Sequence, residues 1–492
     1  MSRPVDVCLI LEGTYPYVPG GVSAWTHELI QKHSDLSFHI ISILPRDDEP
    51  ELRYQLPPNV TGITNINLQR LEEGSKLPKA EIKKIFDEMR QPLIRMTTGE
   101  ATLNDFSRIM EAIAPHRGRI GSKVMLDSEE AWNLTTNMYE ASFSESSMLD
   151  YFWSWRAVIG SLYSLLSVDL PEAKCYHAMS TGYAGIMASR AKLETGKPVI
   201  LTEHGIYTNE RRIEISSADW LEETASKAMT IDQTRLNLRD LWSQTFGNYS
   251  HICYEAVDHI ITLFAGNQKA QIADGADESK MRIVPNGIDV ERYGAISRKK
   301  NDRPTIAMIG RVVPIKDVKT FLRAVATLNQ SLPDLRVLIL GQTDEDPDYA
   351  NECRAMVEYF ALQDVVTFTG RVNIDDYLPE IDVLAFSSIS EAQPLSILEA
   401  GACGIPCVAT DVGACSEMLL GKPGDDAELG VGGVVVPLSS PQALAQGIYK
   451  LLTDSDFYRG CSNAMRLRVA KHYNKDDQHE SYKALYAECM KN

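Results

Sequence analysis

The chain has 492 residues, which at roughly 150 residues per domain suggests two or three domains. Its 49 basic and 67 acidic residues give a formal net charge of −18, which argues against a nucleic-acid binder and against adsorption to an anionic membrane. With 44% hydrophobic and 24% charged residues, the composition is that of a globular protein and excludes disorder as a description of the whole chain.

The first residues and the cysteines predict a cytosolic protein that does not span a membrane. Met1–Asp6 runs directly into a strand-like stretch and lacks the basic region, apolar segment and cleavage site of a secretory signal. No apolar run approaches the roughly 18 residues that cross a bilayer. The nine cysteines are odd in number and scattered, as expected for reduced thiols.

Short apolar runs alternate with helical stretches along most of the chain. The runs are rich in Val, Ile and Leu, as expected for parallel strands that are covered on both faces. Two such series predict an α/β protein with two Rossmann-like domains. The predicted strands of the first series are Val5–Leu11, Phe38–Leu44, Lys174–Ala178, Val199–Glu203, Ile260–Leu263 and Arg282–Pro285. Those of the second are Thr305–Gly310, Val337–Gly341, Val365–Thr369, Val383–Phe386, Cys407–Thr410 and Gly433–Val436.

The two series divide near Pro285–Ser297, which begins with a Pro-Asn-Gly turn. We therefore predict an N-terminal domain over residues 1–286 and a C-terminal domain over residues 287–472. The alternation of apolar strands and helices is interrupted over about residues 68–169, which predicts a helical insert in the first domain. The predicted helices of this insert are Lys79–Met96, Leu103–Ala114, Ser128–Ala141 and Leu149–Ser167.

The last predicted helix of the insert is rich in aromatic residues: Tyr151, Phe152, Trp153 and Trp155. Large aromatic side chains most often belong to a core, so these residues can simply anchor the insert to its domain. The alternative is a surface that binds an acceptor or a partner protein.

A glycine-containing loop, Glu12–Val22, lies between the first predicted strand and the helix Ser23–His33. The adjacent Gly20 and Gly21 allow backbone N–H groups to approach a ligand closely, and a helix N-terminus favours an anion. The spacing is neither GxGxxG nor a Walker loop, so no standard nucleotide fingerprint is present here.

The second series opens with two cations in the loop after its first strand. Arg311 and Lys316 stand five positions apart, just before a helix predicted from Val318. An arginine can bind a diphosphate bidentately and a lysine adds a mobile point charge, so this segment suits a diphosphate. A solvated Arg and Lys on a loop is the alternative.

Two glutamates, Glu391 and Glu399, stand eight positions apart where a loop becomes a helix. Pro394 favours a helix that begins there, so the N–H groups of Leu395 and Ser396 lack carbonyl partners within it. Ionised carboxylates accept strong hydrogen bonds, so two of them at one rim can hold sugar and ribose hydroxyls. Two carboxylates alone would also fit a glycosidase, but that hydrolysis does not need the preceding cations.

Two Asp-rich loops contain the DxD pattern that can hold Mg²⁺ or Mn²⁺ on a diphosphate. They are Asp344–Asp346 and Asp454–Asp456. Because the cations already supply the charge a diphosphate needs, we expect solvated turns here and no obligatory metal.

Together these motifs resemble the retaining GT-B glycosyltransferases of family GT4. Glu391 and Glu399 match the E-x7-E motif of that family, and Pro285–Asp289 resembles its interdomain P-N-G-[IV]-D. Thr410–Ala414 resembles its T-D-x-G-G loop, although Ala414 replaces the second glycine. The resemblance covers nearly the whole chain except the insert, and it implies a GT-B fold.

The resemblance implies that the C-terminal domain binds a nucleotide-sugar, usually UDP-linked. Arg311 and Lys316 would bind the diphosphate, together with the helix N–H groups of Leu395 and Ser396. Three further contacts are implied, namely Glu399 with the ribose hydroxyls, Glu391 with the donor sugar, and Arg371 and Val372 along the base.

The same resemblance implies that the N-terminal domain binds the acceptor and that Gly20 and Gly21 close over the donor. It also implies a histidine for the donor sugar. His204 is favoured because it lies in a Thr-Glu-His-Gly segment at the end of a strand, and His177 is the second choice. Residues 473–492 resemble the last helix of the family, which crosses back onto the first domain.

The function expected from this resemblance is transfer of a hexose, with retention, from a UDP-sugar to a growing polysaccharide. UDP-glucose is the favoured donor. Glu391–Pro394 differs from the E-G-F-G sequence of many relatives, so the resemblance does not fix which hexose is bound. A nucleotide-sugar epimerase and a non-catalytic scaffold of a polysaccharide synthase are the alternatives. Any membrane association would run through inner-membrane protein partners.

Overall fold

The computed structural model describes residues 4–45, 50–216, 237–422 and 428–491. Contacts between Cα atoms divide the chain into two units. The first unit comprises residues 1–262, 267–282 and 482–492, and the second comprises residues 263–266 and 283–481.

The first unit is built on a seven-stranded parallel sheet with the order β3-β2-β1-β4-β5-β6-β7. Its strands are β1 Val5–Glu12, β2 Phe38–Leu44, β3 Val60–Asn67, β4 Ala173–Ala178, β5 Val199–Glu203, β6 His259–Thr262 and β7 Met281–Ile283. The strand order reverses between β1 and β4, as in Rossmann-like sheets.

The second unit repeats this arrangement in a six-stranded parallel sheet with the order β10-β9-β8-β11-β12-β13. Its strands are β8 Thr305–Ile309, β9 Arg336–Leu340, β10 Val366–Gly370, β11 Val383–Phe386, β12 Cys407–Thr410 and β13 Gly433–Val436. Separate apolar clusters cover its two faces, which explains the unbroken apolar runs of its strands. The predicted class, two Rossmann-like sheets, is confirmed.

Helices connect the strands in chain order. Up to β8 they are α1 Gly21–Lys32, α2 Lys79–Thr97, α3 Leu103–Ile113, α4 Ser122–Met125, α5 Glu129–Met138, α6 Met148–Ser167, α7 Gly182–Thr195, α8 Tyr207–Ser216, α9 Leu238–Ala256, α10 Ala265–Ala273 and α11 Val290–Gly294. After β8 they are α12 Val318–Ser331, α13 Pro347–Tyr359, α14 Leu395–Ala402, α15 Cys415–Leu420, α16 Pro441–Thr453, α17 Ser455–His472 and α18 Lys475–Cys489. None of the described helices is both long and apolar enough to cross a membrane.

One strand of the first sheet, β3, is absent from the sequence-based prediction. It lies at the edge of the sheet and is polar and mostly half-exposed, so it lacks the apolar run of a central strand. Gly62 within it allows the His39 ring of β2 to lie alongside, because a Cβ there would stand 2.8 Å from two ring atoms. The His39 Nε2 and Thr64 Oγ1 atoms are 2.8 Å apart across the pair.

The helical insert shares one apolar core with the sheet of the first unit. Tyr151 and Trp155 of α6 are buried in the cluster that contains Cys8 and Ile10 of β1. These two aromatic residues therefore anchor the insert, whereas Trp153 on the same helix is 59% exposed.

Buried hydroxyls surround His177 at the centre of the first sheet. Its Nδ1 lies 2.7 Å from the hydroxyl of Tyr486 on α18, and its Nε2 lies 2.8 Å from the hydroxyl of Thr202. Burial, together with the nearby His204, lowers the pKa of His177 from 6.5 to about 3. His177 is thus a core residue with both ring nitrogens bonded, and its place as the second choice for the donor sugar stays a prediction.

We predict that the chain loses stability as the pH falls below about 6.5. In the unfolded chain His177 then binds a proton, whereas in the folded chain the buried ring stays neutral. Each pH unit between 6.5 and about 3 costs on the order of 1 kcal/mol of unfolding free energy for this histidine. Urea unfolding at pH 7 and pH 4.5 measures the effect. His177→Asn reduces the pH dependence, whereas His251→Asn, at a partly exposed site, leaves it intact. If the two variants showed the same pH dependence of the unfolding free energy, His177 would not be its source.

Candidate functional site

The reversal of strand order in the second sheet brings the loops after β8 and β11 side by side. The buried hydroxyl of Ser387, just after β11, donates to the backbone carbonyls of Lys316 and Asp317 at 3.0 Å each. The N–H of Ile389 donates to the carbonyl of Ile315 at 2.9 Å. These bonds fix the two predicted motifs to one another.

Lys316 and Glu391 form an ion pair at this junction, with about one sixth of each side chain exposed. The ammonium also lies 5.7 Å from the centre of the Phe386 ring at the end of β11. Asp317, with a φ of 46°, accepts a hydrogen bond from the N–H of Thr320 and so begins α12 directly after the lysine. A cation and a carboxylate thus meet at the carboxyl edge of the sheet.

Arg311 follows β8 on the same edge but is half-exposed, and it pairs with Glu345 rather than with Glu391. Gly341 allows this loop to pass, because a Cβ there would lie 1.9 Å from the carbonyl oxygen of Gly310. Arg311 is therefore free of any buried network and its side chain can turn towards an anion.

The loop that carries Glu391 is braced by two neighbouring turns. The Gln393 side chain accepts from the N–H of Asn286 at 2.8 Å and donates to its carbonyl at 3.2 Å, which ties the loop to the Pro-Asn-Gly turn. On the other side, the N–H of Ala414 donates to the carbonyl of Ala392 at 2.8 Å. The Glu391 carboxylate therefore stands on a backbone that is held from both sides.

Glu399 lies inside α14 and accepts a hydrogen bond from the hydroxyl of Tyr293 at 3.0 Å. Burial raises the pKa of this carboxyl. One oxygen is used by Tyr293, so the other remains to accept a ligand hydroxyl. Tyr293 was not predicted, because it precedes Glu399 by about a hundred residues and no local pattern connects the two.

The other predicted contacts of the second unit lie around this edge. Arg371, after β10, is exposed, and Val372 packs against the apolar cluster below. Leu395 and Ser396 begin α14, where the first N–H groups have no carbonyl partner within the helix. Which ligand atoms these residues contact stays a prediction.

One aspartate of each DxD pattern begins a helix. Asp346 accepts a hydrogen bond from the N–H of Tyr349 at 3.0 Å, and Asp454 accepts one from the N–H of Phe457 at 3.0 Å. Both are ordinary N-cap contacts. Glu345 is engaged by Arg311 and by Gln342. These side chains thus have structural partners, and the absence of an obligatory metal stays an expectation.

In the first unit, a carboxylate of the protein itself fills the anion position at the reversal of strand order. Glu12, at the end of β1, accepts hydrogen bonds from the N–H groups of Tyr183 and Ala184 at the start of α7, at 2.8 and 3.4 Å. It also accepts from the Tyr207 hydroxyl at 2.7 Å and from Arg211 at 3.1 Å. This N-terminus is therefore closed to a phosphate, unlike the edge of the second sheet.

The remaining predicted residues of the first unit lie at its carboxyl edge. Gly20 and Gly21 are exposed at the start of α1, and a Cβ at either position would meet no atom within 4 Å. His204 follows β5 and packs edge-on against Trp25, with 4.8 Å between the ring centres. Burial lowers its pKa to about 4, and its Nε2 has no hydrogen-bond partner among the described residues. The assignment of His204 to a donor sugar stays a prediction.

Comparison with known families identifies both parts of the chain. Residues 5–279, more than half of the sequence, match the family described as a domain of unknown function (DUF3492). Residues 303–454 match the family described as glycosyl transferases group 1. The chain belongs to the DUF3492 family and carries a group 1 glycosyltransferase domain.

Curated relatives share parts of this DUF3492 chain. A D-inositol 3-phosphate glycosyltransferase of Kineococcus radiotolerans is 30% identical over 41% of this chain and 50% of its own length. A UDP-Gal:alpha-D-GlcNAc-diphosphoundecaprenol alpha-1,3-galactosyltransferase of Escherichia coli is 24% identical over 68% of this chain and 79% of its own length. The chain spans half or less of the first inositol phosphate glycosyltransferases that it matches.

Solved structures establish the fold of this DUF3492 chain. Sucrose-phosphate synthase from Thermosynechococcus elongatus matches with a TM-score of 0.57 at 16% identity, over 98% of each chain. Anabaena Alr3699/HepE in complex with UDP matches with a TM-score of 0.58 at 13% identity, over 98% of this chain and 99% of that one. The predicted GT-B fold is confirmed.

We predict that Gly413→Ala destabilises the second unit more than an ordinary glycine substitution. Gly413 has a φ of +52°, and a Cβ there would lie 2.2 and 2.3 Å from the carbonyl oxygens of Glu391 and Ala392. We expect the free energy of unfolding in urea to fall by about 2 kcal/mol or more. Gly196→Ala, at a φ of +65° with open space around it, costs about 1 kcal/mol or less. If both substitutions lowered the unfolding free energy equally, the loop at Glu391 would be able to move away from the added Cβ without cost.

Proposed function

We propose that this protein is a retaining glycosyltransferase that moves a hexose from a UDP-sugar to a growing polysaccharide. The observation that carries the proposal is the Lys316–Glu391 pair, with Arg311 nearby on the chain, at the strand-order reversal of the second sheet. The structural neighbour HepE was solved with UDP and with UDP-glucose, and the name of the Escherichia coli relative contains UDP-Gal. Both facts support a uridine nucleotide and leave glucose as the favoured hexose.

In this proposal the diphosphate binds where Lys316 now meets Glu391. An ion pair at this position neutralises both charges, so a diphosphate that recruits the lysine releases the Glu391 carboxylate to accept hydrogen bonds from sugar hydroxyls. Arg311 adds a second cation, and the N–H groups of Leu395 and Ser396 add the positive end of α14. The donor would therefore be held at both its phosphates and its sugar.

The nucleoside would lie over the start of α14 and the end of β10. Glu399 would bind the ribose through the oxygen that Tyr293 does not use, and the hydroxyl of Tyr293 fixes the orientation of the carboxylate. Arg371 and Val372 would lie along the base. In the first unit, His204 would contact the donor sugar as a neutral ring at pH 7, since burial lowers its pKa to about 4.

The reaction needs no protein nucleophile. The bond from the anomeric carbon to the phosphate oxygen breaks, and the acceptor oxygen forms a new bond on the same face. The proton of the acceptor hydroxyl passes to the departing diphosphate. Negative charge therefore grows on the diphosphate as the bond breaks, and in this proposal Arg311 and Lys316 stabilise it without a metal ion.

We infer an exopolysaccharide as the polymer, because Glu12–Ser23 and Leu201–Arg212 resemble PelF, the cytosolic glycosyltransferase of Pel exopolysaccharide synthesis. All nine cysteines are free and buried, which supports a reducing compartment. In the proposal the protein works in the cytoplasm and reaches the inner membrane through proteins of the synthase complex.

We predict that UDP binds the protein in EDTA more tightly than ADP or GDP, and that added Mg²⁺ changes the affinity little. Titration calorimetry with Glu399→Gln distinguishes the contribution of the ribose to UDP binding from that of the phosphates. This variant weakens UDP binding at least tenfold but leaves binding of inorganic pyrophosphate unchanged, whereas Arg311→Ala weakens both. If none of the three nucleotides binds with or without Mg²⁺, the donor site is wrong and the scaffold alternative gains.

We also predict that Arg311→Ala lowers kcat by roughly 100-fold or more, because a stabilising charge is lost in the transition state. UDP release from UDP-glucose into water, measured without an added acceptor, reports this step. Arg459→Ala is the matched control, since Arg459 is an exposed arginine of the same unit in a surface ion pair. We expect both variants to keep the melting temperature of the parent. Wild-type turnover in Arg311→Ala would rule out this role.

A further inference from the structure

Two cavities on the first unit join into one groove between the insert and the sheet. One has a volume of about 450 Å³ and the other about 640 Å³. They share Pro45, Leu68, Tyr183 and Trp242 in their linings, so they are continuous. Each is of the size that binds a small ligand, and together they extend further than one sugar residue needs. We call this feature the insert groove.

The insert groove begins at the carboxyl edge of the first sheet. Glu12 and Gly13, at the end of β1, line its first part together with Arg211 of α8. This is the edge at which ligands bind in open α/β sheets. The groove then leads away from the edge along α6, so that a ligand bound in it would have one end at the edge and its length on the insert.

Aromatic side chains follow the groove and continue beyond it. Trp242 lies in the shared part and stacks on Phe246 at 5.9 Å between ring centres. Trp153 lines the far part and contacts Phe152 at 5.2 Å, and Phe152 contacts Trp132 at 6.0 Å. Trp153 and Trp132 are 59% and 51% exposed. The result is a series of rings that runs from the groove onto the outer surface of the insert.

Each charged side chain that lines the insert groove, in the described part of the chain, has an ion-pair partner. Of the described residues that line it, the charged ones are Glu12, Glu214, Arg211 and Arg156. Arg211 pairs with Glu12 at 3.1 Å and with Glu214 at 2.6 Å. Arg156 pairs with Asp127 at 2.8 Å. Because each of these charges already has a partner among the described residues, a polyanion or polycation would have to displace an ion pair, whereas a neutral ligand with many hydroxyls would find donors and acceptors along the walls.

We propose that the insert groove binds the acceptor as a neutral chain of several sugar residues. Tryptophan faces suit the C–H faces of pyranose rings, and the polar edge of each ring can bond to the paired charges and to Gln69 and Ser161. A lipid tail would need a wholly apolar lining, which this groove does not have. The inference rests on the proposed transferase function and adds that the enzyme recognises the length of its acceptor.

Calorimetry with neutral oligosaccharides tests the proposal. The probes are the hexamers of β-1,4-glucose, α-1,4-glucose and β-1,4-N-acetylglucosamine, each beside its monosaccharide. We expect at least one hexamer to bind tenfold or more tightly than its monosaccharide. Trp153→Ala and Trp242→Ala should each remove most of this difference and leave UDP affinity unchanged. Tyr359→Ala is the matched control, because Tyr359 is an 83% exposed aromatic residue of the second unit.

Each other outcome is decisive. If no hexamer binds better than its monosaccharide, or if both tryptophan variants keep the preference, the insert groove is not an acceptor site. If the protein binds phosphatidylglycerol vesicles instead, and Trp153→Ala abolishes this binding, the aromatic series contacts a membrane and the proposal is overturned. UDP binding is measured in the same samples, so a failed donor site with length-dependent hexamer binding is distinguished from a failed groove with intact UDP binding.

Discussion

The ion pair between Lys316 and Glu391 depends on one topological constraint, the reversal of strand order between β8 and β11. In a parallel sheet every strand ends at the same edge, and at a reversal the two connections leave in opposite directions and open a crevice. Residues 75 positions apart in sequence can therefore share one site. Other contacts of the second unit, such as the Gln393 bridge and the close approach at Gly413, hold the loop that carries Glu391 in place.

The first sheet has the same strand order, yet its crevice is chemically different. There Glu12 accepts hydrogen bonds from the N–H groups at the start of α7, so the position that suits a phosphate already holds a carboxylate. In the second sheet the corresponding edge presents cations. Two sheets of one topology thus present different charged groups at the same edge, and this difference supports the proposed division, in which the second sheet binds the diphosphate and the first unit binds the acceptor.

The sequence predicts most of the strands because central strands of doubly wound sheets are continuous apolar runs. It misses β3, whose polar, half-exposed residues lack that pattern. Local spacing also singles out Arg311, Lys316, Glu391 and Glu399, whose ligand contacts stay predictions. It cannot point to Tyr293 or to the hydrogen bonds of Glu12, since the fold brings their partners near. The difference between His177 and His204 likewise lies in hydrogen bonding that the sequence does not show, because only the structure reveals that both ring nitrogens of His177 have partners.

If the insert groove binds the acceptor as proposed, a group 1 transferase domain is combined here with a separately built acceptor site. The helices of the insert share the apolar core of the first sheet, so they cannot shift as a separate lobe without exposing that core. Outward side chains such as Trp153 are consequently held at a fixed place relative to the end of β1. Acceptor recognition on the insert can then change without disturbing Lys316 and Glu391, because the two sets of residues belong to different cores. Donor and acceptor specificity would in that case evolve independently on one GT-B chain.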